Sequence, residues 1–143
     1  MPYVFDDDPA RVDVDAVWAF LDRHAYWGRW RGAEDFRRQL AGSWRVVGCY
    51  ETGTGVMVGF ARAISDGVGF AYLADVLVLP EHRRRGLGAR LVEKMVERGP
   101  GADFRWMLHT ADAHGLYARF GFTPADETVL ERPHASARPS PGG

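Results

Sequence analysis

The sequence has little of several features that define whole classes of protein. Cys49 is the single cysteine among 143 residues, which excludes an intrachain disulfide and a zinc cluster built from cysteines. It has no apolar run of roughly 18 residues, the length that marks a transmembrane helix. The opening residues, MPYVFDDDPARVD, also lack the basic start and apolar centre of a signal peptide. We therefore expect a cytoplasmic protein without a membrane partner.

The chain also has no large excess of either positive or negative charge. The 18 lysines and arginines stand against 19 aspartates and glutamates, for a net charge of -1, whereas a nucleic-acid-binding domain normally carries a strong basic surplus. The run HRRR (82–85) is the only candidate patch, and no further basic cluster supports it. We expect no nucleic-acid partner. Lys94 is the only lysine, so arginine is common throughout and an arginine cluster alone indicates little.

The length and the apolar content that are present favour one folded domain. Hydrophobic residues make up 46% and charged residues 26% of the chain, enough apolar surface for a core. A domain typically has roughly 100 to 200 residues. Large apolar residues disappear in ERPHASARPSPGG (131–143). We expect a single domain over residues 1–131 and a flexible tail over 132–143.

Hydrophobic periodicity predicts a mixed α/β order of elements. Asp13 can cap a helix whose apolar positions include Val14, Val17 and Leu21, and a second short helix is expected at 34–40. The strand expected at 68–79 is apolar on both faces except at Asp75, so we place it inside a sheet. The other expected elements are a strand hairpin (44–51 and 56–64), a helix (87–99), a strand (104–110), a short helix (111–120) and a final strand (127–132).

The most informative segment is VLVLPEHRRRGLGARLV, a buried strand that runs through a glycine-containing loop directly into a helix. The first amides of a helix lack intrahelical acceptors and lie at the positive end of its dipole, so this junction suits an anion. Gly86 and Gly88 would let a phosphate approach the backbone. The P-loop pattern is absent, and the dinucleotide fingerprint fails because Leu91 occupies its last glycine position.

The loop instead has the pattern R-x-x-G-x-G at Arg83, Gly86 and Gly88, with V-x-P before it at Val78 and Pro80. A second pattern, A-x-x-L-Y-x-x-x-G-F, follows from Ala113 to Phe122. The two motifs, in this order, resemble the coenzyme A loop and the tyrosine helix of the GCN5-related N-acetyltransferases, the GNAT family. The resemblance covers about residues 3–131, and AYLADV and LHTADAHGLY resemble a subgroup of small stand-alone bacterial members.

The resemblance implies a GNAT-like fold, in which a mixed, mostly antiparallel central sheet is flanked by helices in a single α/β domain. It implies an enzyme that moves an acetyl group directly from acetyl-coenzyme A to a primary amine of a small molecule or a peptide N-terminus. Homodimers are common in the family, so we expect one here. The coenzyme-binding residues it implies are Val76, Leu77, Val78, Arg83, Arg84, Arg85, Gly86, Leu87, Gly88 and Ala89.

Acetyl transfer needs a neutral amine, a stabilised oxyanion and a proton for the departing thiolate. Tyr117 matches the tyrosine that protonates the coenzyme sulfur in the family, and it is our candidate general acid. Asp75 is our candidate for the general base or the group that orients the amine, because a buried carboxylate needs an explanation. The alternative role for Asp75 is structural, as a carboxylate paired with an arginine or with backbone amides.

Acceptor specificity is expected in the link between the first two helices and near the tyrosine helix. The candidate acceptor-binding residues are Tyr26, Trp27, Trp30, Arg31 and His109; anchoring of the link to the core is an equally open role for the tryptophans. His109 and His114 could instead cap a helix or support the site indirectly. Thr110 stands where the family usually has asparagine. The hydrogen bonds that this asparagine makes to coenzyme or substrate are therefore not expected here, but threonine can still cap a helix.

Other functions are open to the same fold or are disfavoured by the sequence. A module that binds acyl-coenzyme A as a sensor, without turnover, is the main alternative, and release of free thiol in the presence of an amine would distinguish it from a transferase. The H-E-x-x-H and G-x-S-x-G motifs are absent, so we expect neither a metal nor a nucleophilic serine. Cys49 is expected to be a small buried apolar residue.

Overall fold

A computed structural model of the chain describes residues 2–24 and 30–138. The described residues form a five-stranded sheet with the strands in chain order, β1-β2-β3-β4-β5. The first three pairings are antiparallel and β4 pairs with β5 in parallel. The strands are β1 (Tyr3–Asp6), β2 (Arg45–Glu51), β3 (Met57–Ser65), β4 (Phe70–Val78) and β5 (Arg105–Met107). The expectation of a mostly antiparallel sheet in an α/β domain is confirmed.

Helices cover both faces of this sheet. Two of them precede β2 and two follow β4, in the order α1 (Val14–His24), α2 (Ala33–Ala41), α3 (Leu87–Val92) and α4 (His114–Ala118). A π-helical turn, Glu93–Glu97, continues α3. Asp13 caps α1 as expected, since its carboxylate accepts a hydrogen bond from the amide of Ala16 at 3.1 Å. In the part of the chain described, no helix is both long enough and apolar enough to cross a bilayer.

The sheet separates two clusters of buried side chains. On one face, Leu87, Leu91 and Met95 pack against β2, β3 and β4. On the other face, Val17 and Phe36 from α1 and α2 form the centre of the second cluster. Cys49 is fully buried, and desolvation raises the pKa of its thiol to about 11. Its expected role as a small apolar core residue agrees with this environment.

The later elements are shorter than the sequence predicts. Strand β5 covers only Arg105–Met107 and α4 only His114–Ala118, and the final strand expected at 127–132 is wrong, because that segment is irregular. The amides of Thr128 and Val129 donate to the carboxylate and the carbonyl of Asp126, which is a local turn and not a strand pairing. Alternating side chains alone do not form a strand where no neighbouring strand offers a partner.

Candidate acetyltransferase site

A gap opens in the sheet where β5 ends and β4 continues. The parallel pairing runs only from Phe70–Arg105 to Tyr72–Met107, so β4 beyond Tyr72 has no neighbour from β5. The backbone amide of Leu79, just after β4, donates a hydrogen bond of 2.8 Å to the carbonyl of Val58 in β3. Hydrogen bonding alternates along an antiparallel strand, so the peptide groups of Val78 face the gap instead. The segment Val76–Val78, predicted to hold the thioester arm, therefore lines this gap.

The glycine loop follows directly and begins α3. Gly86 has φ +74° and is the residue before the helix. The first helical hydrogen bond runs from the Arg90 amide to the Gly86 carbonyl at 3.2 Å. The amides of Leu87, Gly88 and Ala89 therefore have no acceptor within the helix. A Cβ atom at Gly86 would meet nothing within 4 Å, which shows that open space lies over this turn.

The three arginines of the loop differ in what they contact. Arg83 donates from Nε to the Val78 carbonyl at 3.1 Å, and Arg85 donates to the Tyr3 hydroxyl at 2.8 Å. Arg84 has φ +64° and an exposed side chain. Arg83 and Arg85 thus fix the loop against β4 and β1, while Arg84 extends toward solvent.

Tyr117 lies on α4, beside the start of α3. The residue is 8% exposed, and its ring meets Phe122 edge to face, with 5.8 Å between centroids. Burial, with a smaller contribution from Asp112, raises the pKa of Tyr117, so the phenol is protonated at neutral pH. Thr110 caps this segment by accepting a hydrogen bond from the Ala113 amide at 3.0 Å. His114 begins α4 and is exposed.

Asp75 lies at a bulge in β4. The register with β3 shifts between Phe60 and Arg62, and Asp75 itself has φ +53°. The bulge brings Asp75 to the side of β3 on which Arg62 lies. Its Oδ2 atom accepts from Nε of Arg62 at 2.7 Å.

Arg31 completes this cluster from the link before α2. It bonds both carboxylate oxygens of Asp75, at 2.8 and 3.1 Å, and it also donates to Gln39 at 2.7 Å. All three charged side chains are at least nine-tenths buried. Burial works to raise the pKa of Asp75, but the hydrogen bonds and charges of Arg31 and Arg62 outweigh it and hold that pKa below its usual value. Asp75 is therefore paired with arginines, which is the structural alternative that the sequence analysis left open for it.

Two other expected acceptor-binding residues, Trp30 and His109, make contacts of their own. The ring of Trp30 stacks on His134, with 4.2 Å between centroids. His109 bonds the Tyr72 hydroxyl through Nδ1 and Glu131 through Nε2. His134 lies just past the boundary expected at 131, and that boundary and the flexible tail stay predictions. Tyr26 and Trp27 lie outside the described residues.

Sequence reasoning missed Arg62, Tyr72 and Glu131. Arg62 stands in the apolar strand VMVGFARAI, and the test that singled out Asp75, a charge in a buried strand, would have found it as well. Tyr72 and Glu131 carry no such signal. Among the described residues, no three side chains of histidine, cysteine, aspartate or glutamate come together as a metal site would require.

An open β4–β5 edge beside a glycine turn defines the class of protein, an acetyltransferase fold. The family model "Acetyltransferase (GNAT) family" matches residues 17–122. The chain therefore belongs to the GNAT family, and the sequence-based prediction of an N-acetyltransferase enzyme is confirmed.

Individual relatives agree with this assignment. A proposed acetyltransferase of Gibberella zeae is 32% identical over 137 residues, which cover 82% of this chain and 76% of that protein. The crystal structure of a proposed GNAT-family acetyltransferase from Xanthomonas campestris pv. campestris is 34% identical, has a TM-score of 0.85, and covers 94% of this chain and 95% of its own. A predicted acetyltransferase from Clostridium acetobutylicum, solved with acetyl-coenzyme A, shares the fold at 14% identity, with a TM-score of 0.66 and coverage of 91% and 95%.

Proposed function

We propose that this enzyme transfers an acetyl group from acetyl-coenzyme A directly to a primary amine of a small molecule or of a peptide N-terminus. The observation that carries the proposal is the gap beside β4, which opens onto the unpaired amides at the start of α3. One end of this arrangement suits an extended chain that bonds to a strand edge. The other end suits a pyrophosphate.

The residues present fit the coenzyme in both respects. Acetyl-coenzyme A supplies the activated thioester when bound. Val76 and the amide of Val78, on the side of β4 away from β3, would bond its pantetheine arm, with Leu77 between them paired to Phe60 of β3. The amides of Leu87, Gly88 and Ala89 would receive the pyrophosphate. Arg84 is the loop arginine whose side chain is most available to a phosphate, while Arg83 and Arg85 hold the loop in place.

Tyr117 is the proposed general acid for the departing thiolate. Its raised pKa keeps the proton on the phenol at neutral pH, and the hydroxyl has no hydrogen-bond partner among the described residues. A protonated donor without a competing acceptor can give its proton to sulfur once the carbon–sulfur bond breaks. No covalent enzyme intermediate is needed.

Asp75 has a different role in this proposal from that of a free base. Both of its oxygens already accept hydrogen bonds, and its lowered pKa makes it a weak proton acceptor. We assign Asp75 as a positioning residue that holds Arg31 and Arg62 against β4. Trp30, Arg31 and His109, with Tyr26 and Trp27 outside the described residues, are the proposed surroundings of the acceptor amine.

A two-part experiment tests the proposal. Acetyl-coenzyme A at about a hundred times its Kd should raise the unfolding free energy by roughly 2.7 kcal/mol, seen as a higher Tm. Free thiol should then appear when spermidine, tyramine, glucosamine or an alanyl peptide is added, and Tyr117→Phe should release it more slowly at unchanged coenzyme affinity. Tyr50→Phe, which alters a tyrosine on the opposite side of the sheet from Tyr117, is the matched control.

The outcomes separate the transferase from the alternative. Coenzyme binding without thiol release for any amine would favour an acyl-coenzyme A sensor. A Tm that does not change with acetyl-coenzyme A would overturn both functions. We also propose that the protein acts in the cytoplasm. We further propose that it is a homodimer, which size-exclusion chromatography with light scattering would check.

A further inference from the structure

We propose that Tyr72, His109 and Glu131 form a relay that takes the proton from the acceptor amine. The inference rests on the proposed function, because it assigns the base for that reaction. Three separate parts of the chain meet here: Tyr72 is the last residue of β4 paired with β5, His109 follows β5, and Glu131 belongs to the irregular C-terminal segment. The Tyr72 hydroxyl bonds Nδ1 of His109, and Nε2 of His109 lies 2.8 Å from Oε2 of Glu131.

The partners determine how the protons are distributed. An ionised carboxylate only accepts hydrogen bonds, so Nε2 of His109 must donate to Glu131. In a neutral imidazole the other nitrogen, Nδ1, is then an acceptor, and the Tyr72 hydroxyl donates to it. The lone pairs of the Tyr72 oxygen are left to accept a proton from elsewhere. In this state the oxygen of Tyr72 can accept a proton from the amine.

Tyr72 lies on the side of the sheet where the acceptor is proposed to bind. It pairs with Ile64 across β3, and Arg62 pairs with Ala74 two residues further along, so Tyr72 and Arg62 share one face. Leu73, the next residue, points to the opposite face and packs under α3. Tyr72 thus stands at the mouth of the gap, on the α1–α2 side.

The surroundings of Tyr72 keep the proton on its phenol at rest. Burial is the largest influence and, together with Glu131 and Asp75, raises the pKa of Tyr72, while Arg62 lowers it. The resting tyrosine therefore stays protonated. During transfer, Tyr72 gives its proton to His109 as it takes one from the amine, so its oxygen carries no lasting negative charge.

The step balances as a transfer of one proton. The amine N–H bond breaks and an O–H bond forms at Tyr72, while the original Tyr72 proton moves to Nδ1 of His109. The resulting imidazolium is stabilised by the Glu131 carboxylate. Because the His109 side chain is 64% exposed, it can return the proton to water. The freed lone pair of the nitrogen then attacks the thioester carbonyl.

The first test reads the proton positions without any substrate. Protein with ¹⁵N-labelled histidine is measured by two-bond proton–nitrogen correlation NMR, and His109→Gln assigns the signal. The expected tautomer carries its proton on Nε2. Tyr72→Phe should shift Nδ1, and Glu131→Gln should shift Nε2. Glu127→Gln, an exposed charge change in the same segment, should shift neither. A proton on Nδ1 in the wild-type protein would overturn the relay.

The second test measures turnover with the amine that the wild-type enzyme acetylates fastest in the panel above. Tyr72→Phe and His109→Ala should lower kcat by about a hundredfold or more, the usual contribution of a general base, with acetyl-coenzyme A affinity unchanged. Added imidazole should restore part of the His109→Ala rate but none of the Tyr72→Phe rate. A merely structural role for His109 predicts no such rescue.

The remaining outcomes distinguish the two proposals. Wild-type kcat in Tyr72→Phe would overturn the relay and leave the transferase intact. If the wild-type enzyme acetylated no amine, the proposed function would fail and the catalytic role of the relay with it. The NMR measurement would then still report whether the hydrogen-bonded chain exists.

Discussion

Arg31 and Asp75 are joined by two parallel hydrogen bonds, of 2.8 and 3.1 Å, between the link that precedes α2 and the bulge of β4. A fork of this kind fixes distance and orientation together. It connects the segment expected to contact the acceptor with the strand expected to hold the thioester. In the proposed complex, this buried pair would help to set the relative position of the two reactants.

Removal of the Asp75 charge should destabilise the whole domain. Asp75→Asn leaves Arg31 and Arg62 buried without a counter-charge, which typically costs about 3–5 kcal/mol. Urea unfolding followed by tryptophan fluorescence measures this loss. Asp15→Asn breaks the exposed pair with Arg37 and should cost less than about 1 kcal/mol. Equal, small effects of the two substitutions would contradict the role assigned to the cluster.

The same pair predicts how stability depends on acid. The folded-state pKa of Asp75 lies below its ordinary value of 3.8, so the stabilisation is complete above that value. It is lost as the pH falls from 3.8 through the lower folded-state pKa. The difference in unfolding free energy between wild type and Asp75→Asn should therefore be constant from pH 7 to 5 and shrink in stronger acid. A difference that grows below pH 3.8 would require the opposite shift.

Gly88 offers a test of the coenzyme loop that leaves the fold intact. A Cβ atom there would lie 3.8 Å from Cδ2 of Leu116, an ordinary contact. Gly88→Ala should not lower the Tm, because alanine is favoured over glycine within a helix. The added methyl group should keep the pyrophosphate from approaching the amide at this position. A lost hydrogen bond to a charged group is worth about 1.5–3 kcal/mol, so acetyl-coenzyme A should bind roughly tenfold or more weakly. Calorimetric titration measures the Kd, and Gly53→Ala, in a remote turn with open space, should bind normally.

Tyr50 has a hydroxyl that is buried without a hydrogen-bond partner among the described residues. An unsatisfied buried donor is costly, so Tyr50→Phe should raise the unfolding free energy by about 1 kcal/mol. Gly48→Ala should do the reverse, because its Cβ would lie 2.4 Å from the Tyr50 hydroxyl oxygen. Overpacking of this kind costs about 1–3 kcal/mol. Thermal unfolding of both variants checks the pair, and a stabilised Gly48→Ala would show that the ring of Tyr50 moves freely.

The sequence by itself determined the family, the order of the main elements and the glycine loop that we propose binds the coenzyme. These features are local: the loop pattern at Arg83, Gly86 and Gly88 and the apolar stripe that begins at Leu87 are set by neighbouring residues and their spacing. Asp75 was recognisable for the same reason, as a charge within an apolar run.

Only the tertiary structure decided what these side chains contact. Arg31 reaches Asp75 because a bulge in β4 turns the carboxylate toward it, and Glu131 reaches His109 because an irregular segment folds back over the end of β5. Such contacts join residues far apart in sequence, and strand register and chain path set them. Both depend on packing of the whole domain, which no short pattern encodes.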